Sequence, residues 1–178
     1  MRTSRQEALW VLRAQCADRE ALEALLRHVQ PSLRRYLAGV VGASDADDVL
    51  QEVLLLIYRN LRWLEHPELF RPWAFRIASR GGFRHVGRRR RGEHIRDEAL
   101  LDEIPDARVP FDERRVEDLL RENRIPPGCG AVLTLHFQEE MSLAEVAAVL
   151  ELPLGTVKSR LAYGLEALRK RMGEGRRS

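Results

Sequence analysis

Arg76, Arg80, Arg84 and Arg88 stand at i, i+4 intervals in a stretch whose periodicity predicts one helix, so their guanidinium groups lie one above another. Like charges in that register repel by roughly 0.2–0.5 kcal/mol per pair. A bound polyanion relieves the repulsion; the alternative is neutralisation by acids on neighbouring helices. Trp73, Phe75 and Phe83 are interleaved with these arginines. Aromatic faces beside cations are what a surface needs to stack unpaired bases, although Trp73 reads equally as a core residue. Near the other end, Thr156, Ser159 and Tyr163 share one side of a second predicted helix, flanked by Lys158 and Arg160. Short polar side chains approach base edges in a major groove while flanking cations reach phosphates. At both places the chemistry on offer is non-covalent recognition of nucleic acid.

Catalysis is poorly served by comparison. The five histidines, His28, His66, His85, His94 and His136, are scattered, and no glycine-rich phosphate loop occurs. Asp45, Asp47, Asp48 and Glu52 carry the alternative of a magnesium-dependent nuclease or phosphotransferase, but they lack the strand setting in which carboxylates usually gather metals. Cys16 and Cys129 form no CxxC and have no histidine pair nearby, which predicts reduced thiols. No catalytic residue, metal site or cofactor is expected.

Several elements must position the two cationic faces. Ser142 and Glu145 have the spacing of a capping box, so a helix should start there, and Pro153 should open the next one at its first position. Val157, Leu161, Leu165, Leu168 and Met172 form the core stripe of that second helix, which completes a helix-turn-helix. In the helix predicted from Asp45, the residues Leu50, Val53, Leu54, Ile57 and Leu61 face the core. Asp48, Gln51, Glu52, Leu55 and Arg59 share the opposite side, where a large apolar Leu55 among acids suggests docking of a basic and apolar partner. Helical periodicity runs through almost every segment, predicting an all-α protein with helices at about 4–16, 18–40, 45–63, 71–90, 112–123, 128–139, 142–150 and 153–172.

The 178 residues suit two small domains. Glu93 to Glu122 is acid-rich, and within it the charged stretch from Glu93 to Ile104 with Pro105 and Pro110 holds too little apolar material for a core, so that stretch reads as a flexible linker. The expected division is 1–91, a linker at 92–111, and 112–178. Net charge is only +3, but Arg80 to Arg91 holds six arginines and no acid, and the C-terminal helix and tail form a second basic zone. Two basic zones across an acidic connector predict two nucleic-acid contacts in one chain. No apolar run exceeds the five residues Val53–Ile57 and no hydrophobic signal segment opens the chain, so a cytoplasmic protein without membrane insertion is expected.

Asp47-Asp48-Val-Leu-Gln51-Glu52-Val, Trp73-Ala-Phe-Arg76-Ile77-Ala78, the arginine cluster, the acidic linker and Gly155-Thr156-Val157-Lys158-Ser159-Arg160-Leu161, in that order, resemble the extracytoplasmic-function (ECF) sigma factors of bacterial RNA polymerase. The resemblance covers nearly the full length. It implies that the first domain, sigma region 2, binds core RNA polymerase through Asp48, Gln51, Glu52 and Leu55. The same domain would recognise and melt the −10 promoter element through Arg76, Arg80, Phe83, Arg84, His85 and Arg88. The second, sigma region 4, would read the −35 element through Thr156, Lys158, Ser159, Arg160 and Tyr163. A partner anti-sigma factor is implied as the regulator, because the chain ends soon after the region 4 helix and no sensory domain is expected. Such proteins usually carry Asn at the position of Arg80, an apolar residue at Gly81 and Asp at Arg84. The −10 surface here is therefore more basic, and Gly81-Gly82 should weaken its helix by roughly 2 kcal/mol. Gly128-Cys129-Gly130 likewise should weaken the helix that precedes the helix-turn-helix. The alternative reading is a stand-alone helix-turn-helix regulator that binds a duplex operator.

Overall fold

A capping box starts the first helix, α1 (Arg5–Gln15): the Glu7 amide donates to Ser4 Oγ at 3.0 Å and the Ser4 amide donates to Glu7 Oε2 at 2.6 Å. Asp18 caps α2 (Arg19–Val41) by accepting from the Ala21 amide, and Gly42, at φ 92°, ends it in a conformation that glycine adopts freely. α3 (Ala46–Asn60) passes through two 3-10 turns, Leu61–Trp63 and Pro67–Leu69, into α4 (Phe70–Gly92). The computed structural model describes residues 4–92 and 125–174. The second stretch holds α5 (Pro127–Leu133), which continues as a π-helical turn, Thr134–Gln138, then α6 (Leu143–Leu150) and α7 (Leu154–Glu174). Among the described residues there is no strand, and the fold is all-α. The helix expected at 112–123 and nearly all of the expected linker lie outside the described residues.

α2 is the centre of the first bundle. Leu25, Val29, Leu33, Tyr36, Leu37 and Val40 are at most 1% exposed, and α1, α3 and α4 pack around them. The glycine pair of α4 has a packing role that helix propensity does not reveal. A β-carbon at Gly81 would stand 3.2 Å from Val53 Cγ2, and one at Gly82 would stand 3.0 Å from Val40 Cγ1. The pair therefore lets α4 approach both α3 and α2, and α4 runs through it without a break. Close packing offsets the lost propensity.

In the second unit, the segment expected as one helix over 128–139 changes to π geometry at Thr134, where the Glu139 amide reaches back to the Thr134 carbonyl at 3.1 Å. The Ser142–Glu145 capping box forms as expected, with bonds of 3.2 and 2.8 Å. α7 begins at Leu154, one residue later than predicted: Pro153 stands just before the helix and its carbonyl accepts the first bond, from the Val157 amide. Gly164 of α7 seats against Leu133, whose Cδ1 would be 2.8 Å from a β-carbon there.

The two units were expected to be placed semi-independently, yet they share a core. Ala131, Val132, Leu135, Met141, Val146, Val149 and Val157 belong to the same buried cluster as the apolar residues of α1 to α4. α5 lies on α2, and α6 lies against α4. At the seam Arg71 of α4 is 5% exposed and donates from Nε to Glu7 Oε1 and from Nη1 to Glu139 Oε2, each at 2.7 Å. Both glutamates are 1% exposed. Burial pushes Glu139 above the ordinary carboxyl range, with the charges of Arg71 and Arg35 opposing it incompletely. Burial also pushes Glu7 upward, but Arg71 and Ser4 outweigh it and hold Glu7 below that range.

Candidate nucleic-acid interface

α4 carries the arginine column to the surface in part. Arg80, Arg84 and Arg88 are exposed, whereas Arg76 is half-buried. Arg76 Nη2 donates to the Ala148 carbonyl at 3.3 Å, and Arg80 forms a two-pronged pair with Glu151, Nη2 to Oε1 at 2.5 Å and Nε to Oε2 at 3.2 Å. Arg88 lies 3.9 Å from Glu52, and Arg84 has no ion-pair partner among the described residues. Neighbouring acids thus neutralise part of the column while its middle stays open. His85 Nε2 is 2.8 Å from Asp45 Oδ2, which Arg89 also approaches at 3.3 Å. Hydrogen bonds from Ser44 and then His85 hold the Asp45 carboxyl below its usual range. Phe83 and Trp73 are half-buried against the core, and Phe75 is fully buried.

On α7 the expected core stripe faces inward as far as Leu168, with Val157 0% and Leu168 3% exposed and Leu161 and Leu165 packed beside them, and the side chain of Met172 lies outside the described residues. Lys158 and Tyr163 are exposed, and Thr156 is half-buried. Ser159 Oγ donates to the Gly155 carbonyl at 3.0 Å, so its lone pairs, not its proton, face outward. Arg160 folds back over the start of α5, where a β-carbon at Gly128 would lie 2.9 Å from its Nη1. That contact places the Arg160 guanidinium over Gly128, a position that as a helix former alone looked misplaced. Arg160 also opposes the upward push of burial on the Cys129 thiol, which still reaches about 11. This thiol stays protonated.

α3 shows its acids and Leu55 outward. Asp48, Gln51 and Glu52 are exposed, and Leu55 is 54% exposed. The same helix and the turn after it add Tyr58 at 57% and Trp63 at 68%, the latter beneath Arg62, whose guanidinium carbon is 4.6 Å from the ring centroid. Both were missed in the sequence, although Tyr58 follows Leu55 by three residues and could have been found by extending that face. Asp47 takes a two-pronged bond from Arg34 at 2.7 and 2.9 Å, and Asp45 turns to His85. Asp45 and Asp47 of that carboxylate cluster therefore turn to different partners.

Residues 25–92 match the family described as Sigma-70 region 2, and residues 125–170 match Sigma-70 region 4. The relatives found over nearly the whole chain bear the same description. RNA polymerase sigma-H factor of Pseudomonas aeruginosa is 29% identical, over 96% of this chain and 95% of that protein. ECF RNA polymerase sigma-E factor of Haemophilus influenzae is 26% identical, over 91% and 93%. The chain belongs to the ECF sigma factors of the sigma-70 family. The structure of the sigma factor RpoE in complex with the anti-sigma factor NepR from Bartonella quintana shares its fold, with a TM-score of 0.65 at 19% identity over 85% of this chain and 96% of that one.

As an ECF sigma factor the chain is a transcription initiation factor: it binds core RNA polymerase and directs it to promoters. The sigma factor's region 2 contains α2, α3 and α4, with α1 packed on them, and its region 4 contains α5 to α7. Arg71, Glu139 and Glu151 of this sigma factor had no signal in local spacing, because each acquires its partner only when distant segments meet, and the capping-box spacing of Ser4 and Glu7 gave no sign of the Arg71 bond.

Proposed function

We propose that the α4 column and the N-terminal half of α7 are the two promoter-reading faces of this sigma factor. Arg76, Arg80, Arg84, His85 and Arg88 hold the −10 strand, with Phe83 against a separated base. Thr156, Lys158, Ser159, Arg160 and Tyr163 read the −35 duplex. Asp48, Gln51, Glu52 and Leu55, extended by Tyr58 and Trp63, form the polymerase-docking face. The observation that carries the reading is the exposed Arg84, without an ion-pair partner among the described residues, beside Arg80 and Arg88, in a chain that also carries a helix-turn-helix with an exposed Lys158. Residues 1–91 and 112–178 act as the two recognition units and 92–111 as their linker. The protein makes and breaks no bond itself, works in the cytoplasm, and is held in check by an anti-sigma factor, as RpoE is bound by NepR. Among the described residues no helix is long and apolar enough to cross a membrane.

The test is run-off transcription with core RNA polymerase, this protein and pooled genomic promoter fragments. Start sites preceded by one shared pair of spaced motifs, appearing only with the protein, are the expected result. No new transcripts, together with tight duplex binding by the protein alone, would instead support a stand-alone regulator. Each duplex phosphate contact should also add about −0.9 to the log–log salt slope of DNA binding.

A further inference from the structure

The line of α7 that points away from the core offers acceptors and no free donor. Val157, Gly164 and Leu168 are buried, with Leu161 packed beside them, so at 100° per residue Gly155, Ser159, Ala162 and Glu166 lie on the opposite side. Gly155 and Glu166 are exposed, and Ser159 is half-buried. A β-carbon at Gly155 would meet nothing within 4 Å, so the turn before Ser159 is open and places no side chain between it and a duplex. Glu166 Oε1 lies 3.0 Å from Lys170 Nζ, two turns further along. Ser159 is thus the polar side chain of this line closest to the N-terminal end of α7, the end that meets base edges in a helix-turn-helix.

The hydrogen bonding of Ser159 decides what it can read. Its Oγ donates its single proton to the Gly155 carbonyl at 3.0 Å, which leaves two lone pairs to face outward. Its neighbours in sequence do not reverse that polarity. The Arg160 guanidinium is turned over Gly128, and Lys158 extends from the edge of the line, where a long cation reaches phosphates. In the major groove an acceptor finds a donor on two bases, at the N6 amino group of adenine and the N4 amino group of cytosine. Guanine offers O6 and N7 and thymine offers O4, all acceptors. To meet those, Ser159 must turn its proton outward and give up the bond to Gly155.

We propose that Ser159 is a specificity-determining acceptor that selects, on the strand it faces, a base carrying an exocyclic amino group. The inference rests on the assignment of α7 to the −35 duplex and deepens it by naming the group that is read. One hydrogen bond is at stake, so a base without the amino group is disfavoured about two- to twelvefold.

The test uses core RNA polymerase carrying this protein and a library of random duplexes long enough to hold both promoter elements, from which bound members are recovered and sequenced. Expected is one upstream base pair that the wild type selects about two- to twelvefold and Ser159→Ala no longer selects. Ser159→Thr, whose hydroxyl can bond the same carbonyl, should still select it. At that pair the amino-bearing base is then replaced by its analogue without the amino group, 2′-deoxynebularine for adenine or a 2-pyrimidinone nucleoside for cytosine. The wild type should bind the altered duplex about two- to twelvefold more weakly, beyond any loss seen with Ser159→Ala, which reports the weaker pairing of the analogue alone. Equal losses for the two proteins would overturn the acceptor. So would a motif that Lys158→Ala or Tyr163→Ala alters and Ser159→Ala does not, and in both cases α7 remains the duplex reader. No upstream motif, or one that none of the three alanine variants alters, would overturn the assignment of α7 to the duplex, and the acceptor with it.

Discussion

Arg71→Met tests the energetics of the seam. Methionine keeps most of the length of the side chain but removes the cation between Glu7 and Glu139, whose side chains are both 2% exposed. Two charge-assisted bonds of 2.7 Å are lost and two buried carboxylates lose their counter-charge. Breaking a buried pair in this way costs about 3–5 kcal/mol. In a chain of this size each kcal/mol lowers Tm by about 2–4 °C, so the fall should be about 6–20 °C at pH 7. The sign with pH is a stricter test. In the wild type Glu7 lies below its ordinary 4.5, so it contributes stability above that value that is lost as pH falls through its folded pKa. Glu139 is raised, so its ionisation costs stability that returns as pH falls through its folded pKa. The two trends oppose. Without Arg71 burial is opposed only by the Ser4 bonds at Glu7 and by Arg35 and Ser32 at Glu139, so both carboxyls move upward relative to the wild type and the variant recovers stability relative to it from pH 7 towards pH 5. The gap between variant and wild type should therefore narrow over that interval in thermal melts followed by circular dichroism. A loss under about 2 °C at pH 7, or a gap that is the same at both pH values, would refute the claim that Arg71 neutralises two buried carboxylates.

The glycines of α4 should behave oppositely. Gly82→Ala drives a β-carbon to 3.0 Å from Val40 and 3.3 Å from Leu37, so overpacking of about 1–3 kcal/mol exceeds a propensity gain of about 1 and the melt falls. Gly87→Ala meets nothing within 4 Å and should raise stability by about 0.5–1 kcal/mol in denaturant titrations. Leu55→Asp should weaken binding to core RNA polymerase at least about tenfold by fluorescence anisotropy, with Tm changed little because the side chain is 54% exposed. Trp63→Ala should do the same if its ring belongs to that face.

Features that arise within a few residues were legible in the sequence. The Ser142–Glu145 box, the core stripe of α7 and the inward set Leu50, Val53 and Ile57 follow from local spacing, and the structure has them. The outward Leu55 was legible for the same reason: helical geometry alone places it beside Asp48 and Glu52. Features that depend on what another helix brings were not. Gly81-Gly82 looked like a weakness because its benefit lies on Val53 and Val40. The π turn at Thr134 has no period of its own in so short a segment. His85 looked available for DNA, and only the fold shows Asp45 against it.

Arg80 and Glu151 carry this argument furthest. Taken separately each is an anomaly: Arg80 adds a cation to a column that already repels itself, and Glu151 occupies a left-handed position that suits glycine. Seventy-one residues separate them, so no window of periodicity could join the two. In the folded chain they are partners, and each removes the other's difficulty. The carboxylate neutralises one cation of the column, and the arginine stabilises an acid at the end of a helix, where the dipole disfavours it. Any anion offered to Arg80 must therefore displace a contact already made.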